Sequence, residues 1–155
     1  MRPAWSLRSA RALGPVRVGR RGGLTEAVTP DGELLHRSPL SVRAVRHWLR
    51  DHGGEPVAGD LPAVRCARAY GTAFQLKVWQ AVSLIASGQT QTYGQLAKSI
   101  GCGSARAVGV ALGANQLAGL IPCHRVVAAG GPGGFAWGVD LKRAWLQAEA
   151  DGAAR

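Results

Sequence analysis

Glycine placement between residues 71 and 113 constrains this chain more than any other feature, because it divides a strongly periodic stretch into three short segments. After Gly71, Thr72 stands where an N-cap is wanted. Phe74, Val78, Val82 and Ile85 then follow at spacings of 4, 4 and 3, with Trp79 beside them. That spacing predicts an amphipathic helix closed by Gly88. Thr92 predicts the cap of a second, shorter helix, with Leu96, Ala97 and Ile100 inward and Gly101 at its end. Gly103-Ser104 opens a third, with Ala107, Val108, Ala111 and Leu112 on one side. Two short helices across a glycine-bearing turn are the pattern of a helix-turn-helix, a weak signal when taken alone. Asn115 and an apolar run, Leu117 to Ile121, lead into Pro122-Cys123-His124-Arg125-Val126-Val127. Residues 128–138 hold five glycines and read as loop, and a last helix is predicted from Asp140 to Ala150, presenting Leu141, Trp145 and Leu146. There is no internal repeat.

The first half is less regular. Residues 1–23 carry six arginines (Arg2, Arg8, Arg11, Arg17, Arg20 and Arg21) and no acid. They read as a basic, poorly ordered arm, with an organellar transit segment or a translation start set too early as the alternatives. No apolar core follows, which excludes a secretory signal. Residues 24–70 read as a small irregular unit. Thr29-Pro30-Asp31-Gly32-Glu33 is a turn signal between Leu24–Val28 and Leu34-Leu35, predicting a hairpin. Val42, Val45, Trp48 and Leu49 predict a helix capped by Ser41 and stopped by Gly53-Gly54. Residues 54–70 read as a linker with at most one strand.

Composition bounds the function. With 155 residues the chain suits one domain or two very small ones, and 46% hydrophobic residues exclude wholesale disorder. No apolar run approaches the roughly 20 residues needed to cross a bilayer, so no membrane partner is expected. Three scattered cysteines, Cys66, Cys102 and Cys123, are too few for a disulfide scaffold and point to a reducing, intracellular setting. A net charge of +10 points to a polyanion, most simply nucleic acid. A GC-rich genome accounts for arginine over lysine but not for basic over acidic.

A free thiol is mostly protonated at neutral pH and needs a base or a positive field to become a nucleophile. Cys123, followed by His124 and Arg125 and preceded by Pro122, is the candidate. Adjacent residues of a strand point to opposite faces, so only a turn here brings the thiol and imidazole together; the plainer reading is a buried cysteine in a short strand. No CxxC pair exists, and His36, His47, His52 and His124 show no zinc-site spacing with the cysteines, so no metal is expected. Neither GxGxxG nor a P-loop is present, so nucleotide cofactors gain no support.

Taken in order, Gly71-Thr72-Ala73-Phe74-Gln75, Val78-Trp79, Thr92-Tyr93-Gly94-Gln95-Leu96-Ala97, Ala105-Arg106-Ala107-Val108-Gly109, Asn115 and Ile121-Pro122-Cys123-His124-Arg125-Val126 closely resemble the O6-alkylguanine-DNA alkyltransferase family, the methylated-DNA–protein-cysteine methyltransferases. The resemblance covers residues 71–149. Residues 1–70 match the family poorly; with the small α/β N-terminal unit read at 24–70 above, the resemblance implies an α+β chain whose residues 71–150 form a mainly helical catalytic and DNA-binding domain with a winged-helix-like helix-turn-helix and a cysteine loop. It implies direct reversal of damage, the alkyl group of O6-alkylguanine, or the methyl of O4-methylthymine, passing irreversibly to Cys123. His124 is implied as the base acting through water and Glu149 as the group orienting it, although read locally Glu149 is an ordinary solvated helix-end carboxylate. The helix from Ser104 is implied to enter the minor groove, with Arg106 filling the space of a flipped nucleotide. Tyr93 is implied to swing and hold that nucleotide, with Gly94 on the DNA side, while Asn115 ties the recognition helix to the cysteine loop. The pocket is implied to be walled by Tyr93, Pro122, Val126, Phe135 and Ala136. No cofactor is implied, and the expected partner is double-stranded DNA met by a cytoplasmic monomer.

The chain departs from that pattern in places. Where the family has Gly-Tyr, it reads Gly134-Phe135-Ala136-Trp137-Gly138, without the phenol; Pro132 sits in a slightly shortened loop, and Gln116 replaces the proline after the asparagine. Cys66 is a weak candidate for a second acceptor. The competing reading is a non-catalytic module that recognises alkylated DNA and recruits other repair factors. Residues 1–70 carry twelve basic and six acidic side chains against seven and three in 71–155, so most of the excess charge lies outside the recognised half.

Overall fold

The computed structural model describes residues 2–7 and 13–153. The chain divides into two compact units, Met1–Thr72 and Ala73–Arg155. It is a mixed α/β structure.

The first unit comprises β1 (Pro3–Leu7), β2 (Gly14–Arg21), β3 (Leu24–Val28), β4 (Glu33–Ser38), α1 (Val42–Asp51), β5 (Gly54–Val57) and β6 (Cys66–Gly71). The strands form one sheet in the order β1-β6-β4-β3-β2-β5. β3 and β4 are the antiparallel hairpin predicted across Thr29–Glu33. Helix α1 also forms as predicted, with the Ser41 hydroxyl accepting from the Ala44 amide. Its Val45 and Leu49 enter a core with Val16, Val18, Ala27 and Leu35.

Two expectations are corrected here. Pro3–Leu7 and Gly14–Arg21 are strands rather than arm: β1 pairs in parallel with β6, and β2 pairs with β3 and β5. Counting arginines hides the alternation of β2, in which Val16 and Val18 are buried while Arg17 and Arg20 are not. Gly22 and Gly23 both take positive φ, 60° and 80°, as a two-residue hairpin turn of the strands' own twist requires. Arg8 and Arg11 lie outside the described residues. Residues 54–70 are likewise not a linker with at most one strand. They supply β5 and most of β6, whose partners β2, β4 and β1 are distant in sequence and leave no local signature.

His36 on β4 is buried, its ring 4.6 Å from Trp48, with Nε2 2.7 Å from Ser38 Oγ and Nδ1 without a partner. Burial, with the charge of His52 second, pushes its pKa down to about 4. The unfolded chain accepts a proton near pH 6.5 that the folded one refuses. Stability is therefore whole above pH 6.5 and declines as pH falls toward 4, by about 3 kcal/mol. Urea midpoints measured from pH 4 to 7 will show that decline, and His36→Gln will flatten it; equal slopes in the two proteins refute the assignment.

The second unit comprises α2 (Ala73–Val82), β7 (Gln91–Thr92), α3 (Tyr93–Ser99), α4 (Ala105–Gly113), β8 (Val126–Val127) and α5 (Val139–Ala153). Thr92 caps α3 through a reciprocal capping box with Gln95, and Ser104 caps α4 through the Ala107 amide. Trp79 is fully buried, and its indole N–H donates to Ala111 O at 2.9 Å, joining α2 to α4. Helix α2 ends at Val82 rather than Gly88, and Phe74, expected inward, is 38% exposed. The inner face begins instead at Leu76, two residues further along. Among the described residues no helix is long and apolar enough to cross a membrane.

Candidate functional site

Pro122 stops the backbone from continuing as strand, and Cys123–Arg125 form a single 3₁₀ turn before β8. Cys123 is 6% exposed. It lines a cavity of about 310 Å³ with Tyr93, Gly109, Leu112, Gly113, Gly134, Phe135, Ala136 and Trp137. The volume stands at the lower end of small-molecule sites.

Behind the thiol lies a relay. His124 Nε2 is 2.7 Å from Glu149 Oε1, while its Nδ1 is buried without a protein partner. A carboxylate can only accept, so Nε2 carries the proton and Nδ1 presents a lone pair. Burial lowers the His124 pKa more than the Glu149 hydrogen bond raises it, which keeps the ring neutral. Burial alone would raise Glu149, but hydrogen bonds from Arg125 and His124 outweigh it and hold the carboxyl below its ordinary range. Arg125 supplies a fork, Nε to Oε2 at 3.0 Å and Nη2 to Oε1 at 2.8 Å, and Nη1 donates to Ile85 O at 2.7 Å.

The sulfur has its own environment. Burial pushes the Cys123 thiol up to about 11, against hydrogen bonds from Asn115 and the positive charge of Lys142. Asn115 Nδ2 donates to Sγ at 3.1 Å and to Ile121 O at 2.9 Å, and its Oδ1 accepts from Leu117 N. The asparagine thus binds the end of α4 to the cysteine turn.

Lys142 is the residue that sequence reading missed. It is fully buried, with Nζ donating to Val126 O at 2.6 Å and to Gly134 O at 2.9 Å, 3.4 Å from the Tyr93 hydroxyl. The ammonium therefore joins the strand after the cysteine, the glycine-rich loop and α3. Helical spacing held the signal. Lys142, Trp145, Leu146 and Glu149 recur at i, i+3, i+4 and i+7, so two charged residues sit in the inward register. Leu141 had been placed there instead. Arg125 and Trp137 were also not singled out.

The remaining predicted residues divide. Tyr93 walls the cavity and donates to Gly134 O at 3.2 Å. Gly133, at φ +73°, lets the loop lie on that ring; a Cβ there would come within 2.8 Å of it. Phe135 and Ala136 line the cavity, Phe135 meeting Trp137 and Trp145 edge-on at 5.1 and 5.9 Å. Pro122 and Val126 are buried and do not line this cavity; β8 turns Val126 into the interior, and its carbonyl meets Lys142. Gly94 and Arg106 are exposed, in the first turns of α3 and α4, and do not line the cavity. No cluster able to hold a metal occurs among the described residues.

Comparison with known proteins places this arrangement. Residues 73–151 match the DNA-binding domain of 6-O-methylguanine DNA methyltransferase. A methylated-DNA–protein-cysteine methyltransferase of Mycobacterium tuberculosis is 48% identical over 81 residues, covering 51% of this chain and 49% of the relative. The bifunctional transcriptional activator/DNA repair enzyme Ada of Escherichia coli is 51% identical over 126 residues, covering 77% of this chain and 36% of Ada. The chain thus spans about half or less of these curated relatives. A crystal structure of Mycobacterium tuberculosis OGT in complex with DNA superposes with a TM-score of 0.67 at 32% identity, covering 88% of this chain and 93% of that one. With the thiol, the imidazole–carboxylate pair and these matches together, the chain belongs to the 6-O-methylguanine DNA methyltransferase family.

Proposed function

We propose that this protein repairs alkylated DNA by direct reversal, taking the alkyl group of O6-alkylguanine, or the methyl of O4-methylthymine, onto Cys123 in a single turnover. One observation carries the reading: a buried thiol lines an aromatic cavity, and the residue after it belongs to an imidazole–carboxylate relay of 2.7 Å.

A thiol held near 11 is uncharged at neutral pH, so its proton must leave as the new bond forms. The Nδ1 lone pair of neutral His124 receives it through a water molecule, and Glu149 stabilises the resulting imidazolium. Sulfur attacks the alkyl carbon; the S–C bond forms as the C–O6 bond breaks, and the electron pair stays on guanine. The base regains its neutral form by taking up one proton, balancing the one lost by the thiol. The Asn115 amide and the Lys142 charge favour the developing thiolate. A thioether is left, and nothing in the site regenerates the thiol.

On the DNA side, α3 and α4 act as a helix-turn-helix, with α4 laid in the minor groove. Ala105, Ala107, Gly109 and Ala111 allow close approach, Gly94 lets a phosphate near the backbone, and Arg106 replaces the extruded base in the stack. Tyr93 and Phe135 hold the flipped guanine, Phe135 without a hydroxyl to offer it. The place of action is where the DNA lies, the bacterial cytoplasm.

Incubation with a duplex containing O6-methylguanine will add one methyl to the Cys123 peptide, stoichiometrically with protein, as read by intact and peptide mass. Cys123→Ala will take up none. Unmodified Cys123 after that incubation overturns the proposal, and tight lesion binding without transfer establishes the non-catalytic module instead.

A further inference from the structure

Helix α1 carries more charge than its unit engages. The arginines of the sheet are occupied: Arg17 with Ala58 O, Arg20 with Thr25 and Gly23 O, Arg21 with Pro62 O, Arg37 with Glu26 and Arg68 with Glu33. Arg43, Arg46 and Arg50 are different. All three are exposed, and among the described residues no side-chain hydrogen bond or ion pair holds them. At 100° and 1.5 Å per residue they and His47 fall within an arc of about 100° and span about 10 Å of the axis. The nearest acid on the helix, Asp51, lies at its C-terminal end and is paired with His47 at 3.5 Å.

The rest of the helix narrows the partner. Its apolar side is already used, since Val45 and Leu49 are fully buried in the core, so α1 has no apolar face to insert into a bilayer. Trp48 is half-buried and stacked on His52 at 4.3 Å, so the arginine stripe has no free aromatic platform for unpaired bases. What remains is a row of unpaired guanidinium forks, which suits phosphate oxygens.

We propose that the Arg43–Arg46–Arg50 face of α1 is a second contact to duplex DNA, made to backbone phosphates without regard to sequence. The choice of DNA as the polyanion rests on the repair function proposed above. Each phosphate neutralised releases counterions, so three contacts steepen the dependence of log K on log salt by about 2.7.

The experiment is anisotropy titration of an undamaged duplex between 50 and 200 mM NaCl. The triple variant Arg43→Gln, Arg46→Gln, Arg50→Gln will have a slope shallower by about 2.7, so that the unmodified protein loses about 40-fold more affinity over that range. The triple lysine variant will keep the slope. A control with equal charge loss elsewhere, Arg2→Gln, Arg65→Gln and Lys77→Gln, will keep most of it. An unchanged slope in the glutamine variant, or an equal fall in the control, overturns the proposal. Circular dichroism monitors the fold; if the triple variant is unfolded, Arg43→Gln and Arg46→Gln singly must each reduce the slope by about 0.9, and no reduction in either overturns it. Methyl uptake by the unmodified protein judges the repair reaction independently. A shallower slope without any methyl uptake leaves α1 as a DNA contact and removes repair.

Discussion

Glu149→Gln slows methyl transfer to Cys123 by roughly two to three orders of magnitude, within the range that general-base catalysis contributes. Glutamine can still accept from His124 Nε2, so the ring keeps its place, but the charge that stabilises the imidazolium is gone. Its pH profile separates this from a structural effect. The Glu149 hydrogen bond raises the His124 pKa against burial, so removing the carboxylate lets that pKa fall. The acid limb of the transfer rate, where the base becomes protonated, therefore moves to lower pH in the variant. Arg125 also loses the charged partner of its fork, which costs about 2 kcal/mol by the worth of hydrogen bonds to charged groups. Single-turnover rates from pH 5 to 9 check the result; a slowed variant with an unmoved acid limb would assign Glu149 to the fold alone.

Lys142→Met is the second large effect, and two opposing terms decide it. Methionine removes the cost of burying an ammonium, but it strands the buried carbonyl of Val126, worth about 1–3 kcal/mol without a donor, while the exposed Gly134 carbonyl keeps Tyr93 as its donor. The stranded carbonyl wins, and the protein loses about 1 kcal/mol net. The loop bearing Gly134, Phe135 and Ala136 is unfastened from α5 at the same time. The thiol responds as well. The charge of Lys142 opposes the effect of burial on Cys123, so its loss raises the thiol pKa further. Alkylation of Cys123 by iodoacetamide will therefore need higher pH in the variant, and methyl transfer will fall by roughly a hundredfold, the low end of what losing one transition-state charge stabiliser costs. Thermal unfolding and the pH dependence of iodoacetamide alkylation test both parts, and an unmoved alkylation profile would refute the electrostatic one.

What was legible in the residues follows the range of the interactions. Ser41, Thr92 and Ser104 announce α1, α3 and α4 because a cap bonds an amide only three residues away. The Thr29–Glu33 turn announces the β3–β4 hairpin for the same reason. The remaining strands were hidden to different degrees. Gly22-Gly23 was a local signal for the β2–β3 hairpin, obscured by six arginines. β5 and β6 had no local signal, since they pair in parallel with strands far away in the chain.

The candidate site divides along the same line. Cys123, His124 and Arg125 are neighbours in the chain, and the motif around them pointed to the thiol and to the reaction class proposed above. Glu149 was placed only by resemblance to the family; nothing local separates it from a solvated helix-end carboxylate. Lys142 was not placed at all. Both lie on α5, and their meaning depends on that helix folding back on the cysteine turn so that one face presents an ammonium and a carboxylate inward.

The sequence by itself therefore singled out the candidate nucleophile, announced the short helices and pointed to a polyanion, because these rest on residue chemistry and on bonds spanning a few residues. Tertiary structure alone decided that Pro3–Leu7 and Gly14–Arg21 are sheet, that Arg125 and His124 share Glu149, and that a buried lysine fastens the glycine-rich loop. Those are contacts between distant segments, and their stability comes from burial and charge pairing that no local spacing encodes.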